Sequence, residues 1–191
     1  MKIALAQLNY HVGNFTSNTA AILREIEAAE KNGVDLLVFA ELAVCGYPPL
    51  DFLDYSHFID RCREHIDEIA KRCTSLTAIV GAPAVNPDPK GKNLFNSAYV
   101  LADGKIQTII HKTLLPTYDV FDEYRWFESN RVFECVEVKG VKSALTVCED
   151  LWNMDDDPLY TFWPMKELIR EQPKLMVNIA ASPFNVQHAE D

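Results

Sequence analysis

Short apolar runs alternate with amphipathic segments in the first half of the chain. The apolar runs are typical of strands, two of them buried on both faces, and the amphipathic segments repeat apolar side chains at helical spacing. The predicted elements are, in order, a strand over 2–9, a helix over 16–32, a strand over 35–41, a helix over 59–73 and a strand over 77–84. Ser17 or Thr16 is the expected N-cap of the first helix. This order predicts two βαβ units.

The pattern changes after the Pro- and Gly-rich loop 86–93, which we expect on the surface. From there, strand-like runs meet at tight turns, and Asp103-Gly104 supplies the positive φ angles of a type I′ turn. The predicted elements are a hairpin of 97–102 with 105–112, an antiparallel pair of 131–139 with 141–148, a helix over 158–171 capped by Asp157, and a last strand over 174–181. We therefore expect an α/β fold with helices packed against a mixed sheet. Because about ten residues follow the last strand, we expect the chain to be part of a longer polypeptide.

Composition and charge narrow the class of protein. A chain of 191 residues with 48% hydrophobic and 24% charged residues suits one globular domain. Its net charge of −10 argues against a nucleic acid or an anionic membrane as partner, and we see neither a signal peptide nor an apolar run of the ~20 residues that span a membrane. Five cysteines without a CxxC pair are typical of reduced thiols, so we expect a cytoplasmic protein. The histidines form no HxxxH pair, and we expect no metal site.

Three polar residues stand where predicted strands end. Strand 35–40 runs into Glu41, strand 105–111 into Lys112 and strand 141–147 into Cys148. Sites in sheets collect where strands end and loops begin, and a carboxylate, an ammonium and a thiol are a complete set for acyl transfer to a thiol. Because a free thiol has a pKa of ~8.5 and needs a proton acceptor, Glu41 is the candidate base and Lys112 the candidate partner of a developing oxyanion. From the residues alone, a chance placement and a structural ion pair between Glu41 and Lys112 stay open.

The sequence segments around these residues resemble those of the nitrilase (carbon–nitrogen hydrolase) superfamily. The resemblance is carried by AELAVCGYPPLDFL (40–53), HKTLLPTYDVFDEYRWF (111–127), LTVCEDLWN (145–153) and NIAASPF (178–184). Glu41, Lys112 and Cys148 fall on the catalytic Glu, Lys and Cys of that superfamily. More narrowly, GYPP, KTLLPTYDVFDEYRWF and CEDLW look like the glutaminase domain of glutamine-dependent NAD synthetases. The resemblance implies a four-layer αββα sandwich, with residues 1–191 forming one glutaminase domain that is truncated at its C-terminus and lacks the synthetase domain.

The resemblance also implies an activity and a substrate site. A glutaminase of this kind hydrolyses glutamine to glutamate and ammonia through a thioester on its cysteine. Tyr47 and Tyr118 match tyrosines that line the substrate pocket, and Glu123 matches an additional glutamate near the catalytic residues. Glu149 and Ser182 match positions that hold the α-amino and α-carboxylate groups of glutamine, and the Glu149 N–H matches a second oxyanion donor.

The same resemblance implies partners beyond this chain. The ammonia would reach a C-terminal synthetase domain that amidates deamido-NAD with ATP and Mg²⁺, whereas the glutaminase step itself needs no cofactor. Relatives form homo-oligomers, so we expect self-association.

Two features of the sequence depart from the family. No SGGxDS-like loop occurs, and the basic stretch after SPF reads Asn-Val-Gln-His at 185–188. The activity of this chain alone therefore stays open. A stand-alone amidase or carbamoylase acting on another small amide is the alternative, and a non-catalytic assembly module is a third reading.

Overall fold

The strands form two sheets instead of the one mixed sheet that the pattern of the chain predicts. The computed structural model describes residues 1–152 and 159–182 of the 191-residue chain. The first sheet has five strands in the order β1 (Ile3–Leu5), β2 (Leu36–Val38), β3 (Thr77–Val85), β4 (Leu94–Ala102) and β5 (Lys105–His111). The second sheet has three, in the order β6 (Val136–Val138), β7 (Val141–Val147) and β8 (Leu175–Ile179).

Both sheets are mixed. In the first, β1, β2 and β3 are parallel, and β4 and β5 continue the sheet as antiparallel strands. In the second, β7 pairs antiparallel with β6 and parallel with β8. The turn between β4 and β5 has φ angles of 53° at Asp103 and 72° at Gly104, which confirms the predicted type I′ hairpin.

Three helices accompany the sheets, α1 (Phe15–Lys31), α2 (Ser56–Ala70) and the short α3 (Pro164–Leu168). Helix α1 is capped by Asn14, whose side-chain oxygen accepts the Ser17 N–H at 3.2 Å. The expected cap at Thr16 or Ser17 is therefore wrong, and both residues lie inside the first turn of the helix. Helix α2 begins and ends three residues before its predicted bounds.

The predicted helix over 158–171 is wrong in its first part. Trp163 has extended backbone angles (φ −123°, ψ 93°) and Pro164 begins the helix, because a residue before proline is kept out of the helical region. A 3₁₀ turn, Ile169–Glu171, completes the segment. Asp157, Pro158 and residues 185–188, which carried the expected cap and one departure from the family, lie outside the described residues.

Two layers of apolar side chains position the strand ends. One core lies between α1, α2 and the first sheet, with Ile22, Ile66 and Leu101 among its fully buried members. The other lies between the two sheets and includes Leu36 and Val147. A helix layer, a sheet and a second sheet thus stack on one another, as the expected sandwich requires. No helix within 1–152 or 159–182 is long and apolar enough to cross a membrane.

Candidate active site

Three strand ends from the two sheets meet at one buried cluster. Lys112 follows β5 directly, Cys148 follows β7 directly, and Glu41 lies three residues beyond β2. The Lys112 ammonium is 2.8 Å from Glu41 Oε1 and 2.8 Å from the Glu123 carboxylate, and its side chain is 0% exposed. Cys148 is 6% exposed. The first sheet therefore supplies the carboxylate and the ammonium, and the second sheet supplies the thiol.

The backbone turns sharply at two of these ends. Cys148 has a φ of 45° where the strand passes into the 3₁₀ helix Cys148–Leu151, and Leu42, directly after Glu41, has a φ of 49°. Residues other than glycine rarely adopt these positive φ angles, so the surrounding structure must hold the backbone in this conformation. Gly81 of β3 makes room for the second turn, because a Cβ at this position would lie 2.4 Å from the Leu42 nitrogen and 2.7 Å from the Glu41 Cα.

Several donors hold the two carboxylates of the cluster. Glu41 Oε1 also accepts from Asn96 Nδ2 at 2.7 Å, and Glu41 Oε2 accepts the Ala181 N–H at 3.0 Å. Glu123 accepts from the Tyr47 hydroxyl at 2.9 Å and from Asn96 Nδ2 at 3.3 Å. A carboxylate has about four acceptor positions, so Glu41 retains room to take a proton from the thiol.

Burial and neighbouring charges shift the pKa values in the cluster. Burial alone would lower the pKa of Lys112, but Glu41, Glu123 and Cys148 raise it well above its ordinary value. Burial raises the pKa of the Cys148 thiol to about 12, and Glu41 adds to this rise while Lys112 opposes it. The pKa of Glu123 is also raised by burial, against the effect of Lys112. At neutral pH the cluster therefore holds a protonated thiol beside a permanently charged ammonium.

A second acidic group lies next to the thiol. The Tyr118 hydroxyl donates to both oxygens of Glu149 at 2.9 Å, and the Tyr160 hydroxyl donates to Oε1 at 3.1 Å. Glu149 follows Cys148 in the chain and is 6% exposed. The arrangement presents a fixed carboxylate at the edge of the cluster, which is suited to binding a cation such as an ammonium group.

The structure brings together most of the residues that the sequence singles out. Tyr47 and Glu123 join the buried ion cluster, and Tyr118 joins Glu149. Ser182 is exposed and lies one residue beyond Ala181, whose N–H contacts Glu41. Whether the Glu149 N–H serves as an oxyanion donor stays a prediction.

Three residues of the site were not predicted from the sequence: Asn96, Asp150 and Tyr160. The Asp150 Oδ1 accepts the N–H groups of Thr113 and Leu114 at 2.9 and 2.8 Å, and so joins the turn after Cys148 to the segment after Lys112. Asp150 stands inside the CEDLW motif, and Asn96 is a polar residue inside the apolar run of β4. Both were visible signals, because a buried polar side chain in an apolar context requires a partner.

Comparison with known proteins identifies the family. The sequence model described as carbon-nitrogen hydrolase matches residues 2–155. The chain belongs to the carbon–nitrogen hydrolase family. This result, together with the geometry of the cluster, confirms the resemblance seen in the sequence.

The relatives of this carbon–nitrogen hydrolase are longer proteins. It is 40% identical over 190 residues to a glutamine-dependent NAD(+) synthetase from Synechocystis sp., covering 96% of this chain and 34% of the relative. It is 36% identical to the one from Aquifex aeolicus, covering 97% and 31%. The chain thus spans about one third of the length of the curated relatives it matches.

Solved structures confirm the fold. A glutamine-dependent NAD+ synthetase from Acinetobacter baumannii superposes with a TM-score of 0.86 at 29% identity, covering 98% of this chain and 34% of that one. An amidase of the nitrilase superfamily from Nesterenkonia superposes with a TM-score of 0.80 at 18% identity, covering 99% and 68%, which shows a shared fold alone. The expected nitrilase-like sandwich is therefore confirmed.

Within 1–152 and 159–182, no group of three or more His, Cys, Asp or Glu side chains is placed to hold a metal ion. The expectation that the hydrolytic step needs no cofactor stays a prediction.

Proposed function

We propose that this carbon–nitrogen hydrolase hydrolyses glutamine to glutamate and ammonia through a thioester on Cys148. The observation that carries the proposal is the buried contact of Lys112 with Glu41 and Glu123 beside the Cys148 thiol. A buried ion pair adds little net stability to a fold. Such a cluster is better explained by chemistry, and the similarity to glutamine-dependent NAD synthetases supports glutamine as the substrate.

The first half of the reaction forms the thioester. Glu41 takes the proton of the Cys148 thiol as the sulfur attacks the side-chain amide carbon, which forms a C–S bond and a tetrahedral oxyanion. Lys112 stabilises that oxyanion, a contribution of the kind whose loss costs ~10²–10³ in rate. Glu41 then returns the proton to the amide nitrogen, the C–N bond breaks, and ammonia leaves.

The second half consumes one water. Glu41 takes a proton from the water as its oxygen attacks the thioester carbon, and Lys112 again faces the oxyanion. The C–S bond breaks, the sulfur recovers its proton from Glu41, and glutamate leaves. In sum, one glutamine and one water give one glutamate and one ammonia, and the protein returns to its starting state.

The substrate site uses the remaining predicted residues. Glu149, held by Tyr118, binds the α-ammonium group of glutamine, and Ser182 donates to its α-carboxylate. Tyr47 holds Glu123, which in turn orients Lys112 toward the reacting carbonyl. A fixed carboxylate for the ammonium and a hydroxyl for the carboxylate fit the two ends of a free amino acid.

The partners follow from the longer relatives. In a protein of their length, the ammonia supports ATP- and Mg²⁺-dependent amidation of deamido-NAD to NAD by a C-terminal synthetase domain. The residues 1–191 then act as the glutaminase domain of a cytoplasmic homo-oligomer. The similarity to the longer glutamine-dependent NAD synthetases supports the synthetase domain as partner.

The test compares glutamine with other amides. Ammonia release by the purified protein is measured with glutamine, asparagine, acetamide and an N-carbamoyl amino acid. We expect the highest kcat/KM for glutamine, a loss of about 10²–10³-fold in Lys112→Ala, and a larger loss in Cys148→Ser, which removes the nucleophile. Cys135→Ser, at a half-buried cysteine outside the cluster, is the matched control and should retain activity. Equal or faster turnover of an unrelated amide would contradict glutamine as the substrate.

A further inference from the structure

We propose that Asn96 is a positioning residue that holds Glu41 and Glu123 together as an ionised pair. The inference rests on the proposed function, since it concerns the base of that reaction. It adds a residue that the family resemblance did not assign. Asn96 lies in β4 and is 0% exposed.

One asparagine contacts all three charged members of the cluster. Its Nδ2 donates to Glu41 Oε1 at 2.7 Å and to Glu123 Oε2 at 3.3 Å. Its backbone oxygen accepts the Lys112 N–H at 2.8 Å. The side chain therefore ties the two carboxylates to each other, while the main chain ties them to the segment that carries the ammonium.

The orientation of the amide is set by chemistry. Ionised carboxylates only accept hydrogen bonds, so the NH₂ group must face Glu41 and Glu123. The opposite end of the amide is then left over, and within the described residues no donor reaches Asn96 Oδ1. A buried acceptor without a partner lowers the stability of the fold. This orientation therefore stabilises the ionised carboxylates and destabilises the folded protein.

The charges explain the use of an amide at this position. Two buried carboxylates share the single ammonium of Lys112, and like charges at short distance favour uptake of a proton by one of them. Two N–H donors favour the ionised forms without adding a charge or a titrating group. Besides Lys112, the titratable groups that interact with the pair are Cys148 and Tyr47. Tyr118 interacts with Glu149, Cys148 and Lys112, and Asp150 interacts with Lys112.

The consequence is a pH dependence. Without the Asn96 donor, the ionised form of Glu123 loses a hydrogen bond, so this carboxyl, whose pKa burial already raises, takes up a proton at higher pH. A neutral Glu123 no longer holds the Lys112 ammonium as an anion, which weakens the arrangement that the proposed reaction uses. Asn96→Leu, which is close in size and has no donor, should move the acid limb of the pH–rate profile upward by about one pH unit. On that limb the rate constant falls about ten-fold at each pH and recovers as the pH is raised.

The experiment measures alkylation of Cys148 by iodoacetamide between pH 5 and 9, followed by peptide mass spectrometry, and kcat/KM for glutamine over the same range. Asn96→Asp retains the shape of the side chain and places a third carboxylate in the cluster, so it should shift the acid limb in the same direction and by more. This variant keeps the test valid if Asn96→Leu folds poorly.

A matched control separates charge from structure. Asn18 is also buried, but its Nδ2 donates to the backbone oxygens of His11 and Val44, the latter in the loop after Glu41. Asn18→Leu should lower the rate by the same factor at every pH and leave the acid limb in place. If neither Asn96→Leu nor Asn96→Asp shifts the acid limb of the pH–rate profile, the inference is overturned.

The two readouts distinguish this inference from the proposed function. If the alkylation limb shifts and glutamine is not hydrolysed, the role of Asn96 stands and the glutamine assignment fails. If glutamine is hydrolysed and neither variant shifts the limb, the glutamine assignment stands and the role of Asn96 fails. Failure of Cys148 to alkylate in the unsubstituted protein would overturn both.

Discussion

Lys112 is a buried cation that faces three acidic groups. It lies 2.8 Å from each of two carboxylates, and it opposes the rise in the pKa of the nearby thiol. Two of these groups, Glu41 and Cys148, exchange a proton in the proposed reaction. Lys112 cannot share that role, because its own pKa is raised well above its ordinary value. Its chemistry is therefore that of a fixed positive charge, which suits oxyanion stabilisation.

Tyr118 provides a test of substrate binding. Because its hydroxyl donates to both oxygens of Glu149, Tyr118→Phe should loosen the carboxylate that binds the α-ammonium of glutamine. We expect KM for glutamine to rise about ten-fold with kcat within about two-fold, since the reacting atoms are untouched. Steady-state kinetics of ammonia release give both values.

Tyr124→Phe is the matched control for this variant. Tyr124 is exposed, and its ring face, which Lys92 Nζ covers at 3.3 Å from the centroid, remains in phenylalanine. The control should leave both constants unchanged. A fall in kcat at constant KM in Tyr118→Phe would show that Tyr118 acts in the chemical step, contrary to the assignment.

Asp150 connects two elements that carry catalytic candidates. Its side chain accepts the N–H groups of Thr113 and Leu114, and also the Val147 N–H at 3.3 Å. The 3₁₀ helix that begins at Cys148 is thereby joined to the segment after Lys112. Burial raises the pKa of Asp150 from 3.8 to about 7, although the three backbone donors oppose this rise.

The raised pKa predicts a pH-dependent contribution to stability. The folded protein binds a proton at Asp150 more tightly than the unfolded chain does. The stabilising contribution is therefore complete below about pH 4 and is lost as the pH rises toward about 7. Asp150→Asn cannot titrate, so the free energy of unfolding of the unsubstituted protein, relative to this variant, should fall between these pH values. Urea unfolding of both proteins at several pH values measures the difference; a constant or rising difference would contradict the prediction.

The hydrophobic pattern of the sequence predicts some of the helices and strands and not others. The β4–β5 hairpin was predicted because its turn requires two positive φ angles that Asp103-Gly104 can supply. The two helices of the first half were predicted because their buried residues recur at helical spacing. The hydrophobic pattern alone does not predict the division into two sheets, because an apolar run indicates a strand without indicating which strand it pairs with; the family resemblance implied the two-sheet sandwich. Helix α3 begins at Pro164, later than the predicted start at 158, because the proline keeps Trp163 extended. This local signal is present in the sequence.

The whole molecule brings groups from both sheets to one end of the sandwich. Glu41, Lys112 and Cys148 could be identified in advance because each stands at a strand end inside a recognisable motif. The partners of Asn96 and Asp150 could not be identified in this way, because the contacts join residues 27 to 55 positions apart for Asn96 and 36 to 37 positions apart for Asp150. Such pairings depend on tertiary structure, and periodicity along the chain carries no information about them. Self-association stays a prediction from the family resemblance.

The most direct measurement is the intact mass of the protein after exposure to the glutamine-like electrophile diazo-oxo-norleucine. The account predicts a single adduct, formed as the Cys148 sulfur bonds to the reagent carbon and dinitrogen leaves. The adduct should be absent in Cys148→Ser and suppressed by excess glutamine. Circular dichroism confirms that both proteins are folded. A folded protein that forms no adduct, or an adduct that persists in Cys148→Ser, would contradict the claim that these residues form an active glutamine site.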